Sequence, residues 1–253
     1  MAKSPDYPVP ALEKGLDILE ALAALNVPQS LAELAGRLDR SSSELFRMLN
    51  CLERRGYVMR EAGSGKYALS LKLFTLAHAH SLTDKLLRAA RRPMQNLTES
   101  LRESCHLTVL ERSQLLVVAQ QESPERVRVS IEVGGTFDPV TTASGRLLLA
   151  FLDERELALV LADSKNSPRS AKANDELAST LAKIRRTGVS SAESETVEGV
   201  RDLAVLVGNP AGGVEAALAV TRLMRRGERT NEAALLDALR KAAAQITSTL
   251  GIS

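Results

Sequence analysis

Apolar residues recur at helical spacing from the start of the chain. In "ALEKGLDILEALAAL" (residues 11–25), Leu12, Leu16, Leu19 and Leu22 form one stripe, with Glu13, Lys14, Asp17 and Glu20 opposite. "NVPQ" interrupts this pattern, and "SLAELAGRL" resumes it with Ser30 and Glu33 at capping-box spacing. After a tight "DR" turn, "SSSELFRMLNCLERRGYV" (41–58) repeats the device with Ser41 and Glu44. Its Leu45, Met48, Leu49 and Leu52 recur at i, i+3, i+4 and i+7, which predicts one buried stripe and turns Ser43, Phe46, Arg47, Asn50 and Arg54 away from it. Past Gly56 the period changes from helical to alternating. "YVMRE" and "KYALS" around "AGSG" predict a β-hairpin with a flexible tip. Helix, helix, helix, hairpin predicts a winged helix-turn-helix over residues 1–70.

"LKLFTLAHAHSL" returns to helical spacing and predicts a linker helix over 71–84. "LRAARRPMQNLTESLRES" reads as an amphipathic helix restarting at Pro93. Beyond it, "CHLTVLE", "QLLVVAQ" and "RVRVSIEV" read as strands. "TTASGRLLLAFL" reads as a turn entering a helix, and "DERELALVLA" as a further helix. "ANDELASTLAKIRRTG" is a helix stopped by Gly188. "RDLAVLVGNPAGGVEAALAVTRL" is two strands about an Asn-Pro…Gly-Gly turn, and "TNEAALLDALRKAAAQITSTLG" is a closing helix. The fold class expected is therefore two-domain α+β, with an α/β sensor-type domain over 85–253.

Composition narrows the function. No run approaches the ~18 to 20 apolar residues of a membrane span, and the polar, proline-broken "MAKSPDYPVP" is not a secretory signal. Two cysteines, Cys51 and Cys105, make no disulfide framework, which fits a reducing cytoplasm. Net charge is only +2, so nucleic-acid binding is permitted and not demanded. Trp is absent and aromatics total 3%, which argues against a base-stacking platform.

The wet side of helix 41–54 has the chemistry of a recognition helix. Ser42 and Ser43 at its N-terminus are small hydrogen-bonding groups beside free N–H groups that attract phosphate. One turn on, Arg47 reaches a guanine or a phosphate, and Phe46 can lie against a thymine methyl. Arg40 in the turn, Arg54 late in the helix, and Arg60 and Lys66 on the wing can straddle adjacent phosphates. Capping alone also accounts for the serines, and Glu44 reads either as part of the cap or as an acceptor for a cytosine amino group. Seven cations stand against four anions between Arg37 and Lys66, a surplus of three that suits a dimer summing two half-sites. In the second domain, "VTTASGRLLLAF" has Thr142 as N-cap, with Ala143, Ser144 and Gly145 opening the helix on bare N–H groups fit for a carboxylate effector.

Taken together, "ALEKGLDILEAL", "SLAELAGRL", "FRMLNCLERRGYV" and "KYALSLKLFTLA" resemble the N-terminal domain of IclR-type transcriptional regulators. "TTASGRLLLAFL", "EGVRDLAVLV" and "GGVEAALAVT" resemble that family's ligand-binding half. The resemblance implies a winged helix-turn-helix, a linker helix and a GAF-like effector domain, assembled as homodimers or dimers of dimers on palindromic double-stranded operators. It places further pocket walls at Val200, Asp202, Ala219 and Thr221. Two departures stand out. Ser42, Ser43 and Glu44 replace a common Lys-Ser-Thr run, and Phe46 stands where His or Tyr is usual. Asp202 reads either as a carboxylate for ligand hydroxyls, as in a sugar acid, or as a strand-end group paired with Arg201 or Arg222. His106 reads either as pocket wall or as a satisfied structural histidine.

Catalytic motifs fail. "GSGK" would need Gly where Arg60 stands and Ser or Thr where Tyr67 stands. "TASGR" is no nucleophile elbow. His78 and His80, two apart on a helix, make no metal clamp. Cys105 beside His106 is a reactive thiol or a buried bystander, and Glu193 and Glu195 read as solvated charges in a polar loop. The expectation is a ligand-responsive, sequence-specific DNA-binding regulator of repressor type, without enzymatic activity, cofactor or metal. The competing reading is an enzyme or sensor whose winged domain meets proteins.

Overall fold

The computed structural model describes residues 8–25, 27–78, 82–194, 197–209, 213–224 and 231–251. The chain divides into two compact units, residues 1–81 and 82–253.

In the first unit, α1 (Pro10–Leu25), α2 (Leu31–Leu38) and α3 (Ser42–Arg54) precede a hairpin of β1 (Val58–Arg60) and β2 (Tyr67–Leu69), and α4 (Lys72–His78) follows. Ser30 and Glu33 close a full capping box on α2, which stops at Asp39 in the left-handed region. Ser41 caps α3. The Glu44 carboxylate accepts from the Ser41 hydroxyl at 3.0 Å and from Lys14 at 2.7 Å, the latter a charge-assisted bond. The hairpin pairs Val58 with Leu69 and Arg60 with Tyr67, and Gln29 pairs with Tyr67 through two backbone bonds of 2.7 and 2.9 Å. Leu45 and Leu49 are fully buried with Ile18, Leu22, Leu34, Val58 and Tyr67, and Met48 and Leu52 pack at the rim.

The α1 stripe departs from expectation. Leu12 and Leu16 are 59% and 47% exposed, and the buried positions are Ile18 and Leu22. The helix has apolar residues on two faces, and α2 and α3 cover only the one carrying Ile18. The stretch read as one linker helix is described as α4 and the first turn of the next helix. Residues 79–81, including His80, lie outside the described residues, as does the side chain of His78.

In the second unit, α5 (Leu82–Leu101) leads into β3 (Ser104–Glu111), β4 (Gln114–Gln121) and β5 (Thr136–Phe137). Then come α6 (Ala143–Leu149), α7 (Glu154–Asp163), α8 (Ala171–Thr187), β6 (Val189–Glu193), β7 (Val200–Asn209), β8 (Gly213–Leu223) and α9 (Glu232–Leu250). The strands form one antiparallel sheet in the order β5-β4-β3-β8-β7-β6. Alternation along β8 serves both faces. Ala216, Leu218 and Val220 pack with α5 and α9, while Ala217 and Ala219 pack with α6 and α8. Gly188 ends α8 in the left-handed conformation, as its position predicts.

Two expectations fail here. The helix does not restart at Pro93: α5 runs through it. An interior proline costs about 3 kcal/mol, which burial of Leu86, Met94 and Leu97 on either side offsets at ~1.5–3 kcal/mol each. The alternating "RVRVSIEV" forms a loop and not a strand, because the sheet edge beyond β4 is taken by β5. Side chains satisfy this loop: Gln120 accepts from Ile131 N at 2.6 Å, and Glu122 accepts from Arg128 and Ser130 at 2.8 and 2.9 Å. The Asn-Pro…Gly-Gly turn falls on residues 210–212, outside the described residues.

Two outcomes follow from this packing. A Cβ at Gly145 would stand 2.2 Å from the Pro139 carbonyl oxygen. Gly145→Ala is therefore expected to destabilise the protein at the upper end of the ~1–3 kcal/mol of overpacking, read as a lowered thermal transition; an unchanged transition contradicts the contact. Bonds from the Ser30 backbone and Lys66 hold Glu33, and bonds from Lys14 and Ser41 hold Glu44, at about 2 against an ordinary 4.5. Both pKa values are depressed on folding, so the associated stability is present above about pH 4.5 and is lost as pH falls toward 2. Carboxyl NMR titration should show both midpoints well below the ordinary value.

Candidate functional site

Each unit presents one surface with unspent chemistry. On α3, opposite Leu45 and Leu49, Ser43, Phe46, Arg47, Asn50 and Arg54 are exposed. Among the described residues, the side chains of Arg47, Asn50 and Arg54 make no ion pair or hydrogen bond. Ser42 is also exposed at the first turn, and the hydroxyl of Ser43 lies 3.3 Å from that of the capping Ser41. The other expected cations are engaged within the unit. Arg40 lies 3.9 Å from Asp17, Lys66 is 3.0 Å from Glu33, and Arg60 donates to the Gly65 carbonyl at 3.0 Å with its guanidinium over the Tyr67 ring. Exposed pairs of this kind are worth about 0–1 kcal/mol, so a phosphate can displace them cheaply. The hairpin tip is tied by its own bonds: Gly65 N donates to the Glu61 carbonyl at 2.9 Å and the Ser64 hydroxyl to the Glu61 carboxylate at 2.7 Å.

The second unit holds a cavity of about 730 Å³ beneath the N-terminus of α6. His106, Thr142, Ala143, Ser144, Val200, Asp202 and Thr221 meet in its wall. Gly145 and Ala219 do not. Gly145 is pressed on Pro139 where α6 crosses it, and Ala219 is fully buried in the core between sheet and helices. Thr142 caps α6 by accepting from Gly145 N at 3.1 Å.

His106 is 5% exposed and both ring nitrogens meet hydroxyls: Nδ1 is 3.2 Å from Thr221 Oγ1 and Nε2 is 3.5 Å from Ser144 Oγ. It is thus at once a satisfied histidine and a cavity wall. Burial pushes its pKa down from the ordinary value, against an upward pull from Asp202. Asp202 is not paired with a neighbouring arginine. Arg201 bonds Glu193 and Glu232 at 2.8 and 3.2 Å, Arg222 bonds Glu103 at 3.3 Å, and Asp202 Oδ1 is buried without a hydrogen-bond partner. Glu193 therefore ends β6 in an ion pair and does not stand in a polar loop; Glu195 lies outside the described residues.

Ser144 and His106 are residue types that a nucleophile–base pair uses, but they stand 3.5 Å apart and the other ring nitrogen faces a hydroxyl and not a carboxylate. Cys105 points to the opposite core beside Thr98, and burial pushes its thiol up to about 11, which makes it inert. Sequence reasoning missed several walls. Thr108, two residues beyond His106 on the same strand face, was accessible to a period-two argument. Asp138 and Asn166 were not: they meet through a hydrogen bond of 3.1 Å across 28 positions. The loop residues Ser130 and Ile131 were hidden by the mistaken strand.

Comparison with known proteins covers both units. A model of the IclR helix-turn-helix domain matches residues 11–62, and one of the C-terminal part of IclR bacterial transcriptional regulators matches residues 79–248. The HTH-type transcriptional regulator KdgR of Escherichia coli (strain K12) is 31% identical over 251 residues, 96% of this chain and 95% of that protein. KdgR of Dickeya chrysanthemi is 29% identical over 252 residues, 98% of this chain and 82% of that protein. The structure of an IclR homolog complexed with 4-hydroxybenzoate, from Microbacterium hydrocarbonoxydans, superposes with a TM-score of 0.80 at 24% identity, covering 96% of this chain and 100% of that one. Two domain matches in the same order and a relative aligned along nearly the whole chain leave one assignment: the chain belongs to the IclR family of bacterial transcriptional regulators.

Proposed function

We propose that residues 1–70 read an operator through α3 and the hairpin, that 85–253 bind a small organic or sugar acid in the His106 cavity, and that the 71–84 segment couples the two. The observation that carries this reading is the division of α3. Leu45 and Leu49 are fully buried, while Arg47, Asn50 and Arg54 on the far side are exposed and bond nothing in their own unit. Ser42, Ser43 and Phe46 would meet the groove edge, and Arg40, Arg60 and Lys66 the flanking phosphates.

A surplus of three positive charges per copy is small for a tight monomeric binder and suits a homodimer, or a dimer of dimers, on a palindromic site in the cytoplasm. Repression follows if effector-free dimers hold the operator. Acid binding is supported by the opening turn of α6 and by Asp202 and His106 as partners for hydroxyls. The 4-hydroxybenzoate held by the Microbacterium homolog joins a carboxylate to a hydroxyl in the same way.

A mobility-shift assay on genomic fragments across a salt series tests the first half. Specific binding should weaken steeply as salt rises. Arg47→Ala should cost about 1–3 kcal/mol, and Arg54→Ala should weaken all sequences alike with a salt slope shallower by about one. Binding indifferent to both substitutions contradicts the assignment. For the cavity, thermal-shift screening of organic and sugar acids should find at least one that stabilises the wild type and leaves Ser144→Trp unmoved. Equal stabilisation of the two excludes the cavity as the site.

A further inference from the structure

The charges in the cavity wall set a condition on an acid that enters it. Among the described residues the wall carries the carboxylates of Glu132, Asp138, Glu193 and Asp202, one histidine, and no lysine or arginine. Two of the carboxylates are compensated. Asp138 accepts from the Ser164 hydroxyl at 2.7 Å, from Val140 N at 2.9 Å and from Asn166 at 3.1 Å, and Glu193 is paired with Arg201. Glu132 is exposed to solvent, and Asp202 has no such partner: among the described residues its buried Oδ1 accepts no hydrogen bond.

His106 is the group placed to respond. Ser144 faces its ring from α6 and Thr221 from β8, and Asp202 acts on it electrostatically from β7. Its cross-strand neighbour on β4, Gln120, carries no charge. An organic anion brought into this space adds a negative charge to a wall that, among the described residues, offers it the first-turn N–H groups of α6 and hydroxyls but no cation, and the neutral imidazole of His106 is the group there that can become one.

We infer that an acid effector binds here together with one proton, taken from solvent by His106, so that the loaded cavity gains no net charge. The proton forms an N–H bond at the ring nitrogen left bare in neutral His106, between the hydroxyls of Ser144 and Thr221. Burial keeps His106 neutral in the free protein, so a whole proton remains to be taken up. Because binding raises the proton affinity of His106, effector affinity is greater on the acid side of neutrality, where the effector is still a carboxylate. It falls, by up to tenfold per pH unit, as the pH rises above neutrality. This rests on the reading of the cavity as an acid-binding site, and the test separates the two.

Isothermal titration calorimetry on the full chain at pH 7.5, in phosphate and in Tris, reads proton uptake directly from the difference in heat. The probes are D-gluconate, D-galacturonate and 4-hydroxybenzoate, with the neutral D-glucitol and 4-hydroxybenzyl alcohol as counterparts. An acid that binds should take up about one proton per site, and a neutral compound none. His106→Gln removes the proton acceptor, so whatever binding of the same acid this variant retains should show no proton uptake and no fall in affinity with rising pH. An acid that binds the wild type with buffer-independent heat overturns the proton linkage and leaves the acid site standing. Absence of binding by every acid removes the acid site and the linkage with it.

Discussion

Burial of Leu45 and Leu49 against Ile18, Leu22, Leu34 and Val58 is the constraint on which the first unit depends. A helix of thirteen residues has one side to give to a core, and once those leucines are sealed the register of every other side chain is fixed. Arg47, Asn50 and Arg54 have no route inward, and among the described residues no acidic side chain captures them. The capping network tightens the same point from the other end. Lys14 draws the Glu44 carboxylate toward α1, which leaves the opening turn of α3 presenting hydroxyls. Among the described residues, Arg40 and Lys66 are held in weak exposed pairs, whereas Arg47 and Arg54 on α3, with Arg37 on α2 and Arg55 at the end of α3, are exposed without an ion pair.

The second unit solves a different problem with the same economy. Its central strands are buried on both faces, and the face toward α6 is lined with small side chains, Ala204, Ala217 and Ala219. Small residues let α6 sit close to the sheet, and Gly145 lets it pass Pro139 without a clash. Where the alanines give way to His106, Thr108, Asp202 and Thr221 the packing opens into polar space. That space is built from residues whose hydrogen bonds are largely spoken for, save one carboxylate oxygen. A buried polar atom left without a partner is costly to a fold, so Asp202 Oδ1 is the atom of this wall that gains most from a donor entering the space.

How far the chain could be read before its coordinates depends on whether each feature is local. Helices with caps and a single apolar stripe, such as α2, α3 and α8, follow from a few neighbouring residues and were legible. The α1 stripe was misjudged because that helix carries two apolar faces, and only its neighbours decide which is covered. The 126–133 segment alternates like a strand, yet pairing belongs to whichever segment reaches the edge of β4, and β5 does. For the cavity, residues on one strand face or one turn were accessible, as His106 and Ser144 show. The state of Asp202 was not, because it turns on Arg201 and Arg222 choosing Glu193, Glu232 and Glu103, a matter of three-dimensional competition.

The claim most exposed to a single measurement is that the outward face of α3 lies in the major groove. A photo-reactive amino acid placed at Asn50, with a second chain carrying it at Glu20 on α1, can be irradiated on bound operator DNA. The account predicts an adduct to bases from position 50 and none from position 20. Cross-linking from position 50 to protein alone, on DNA that the chain demonstrably binds, would contradict it.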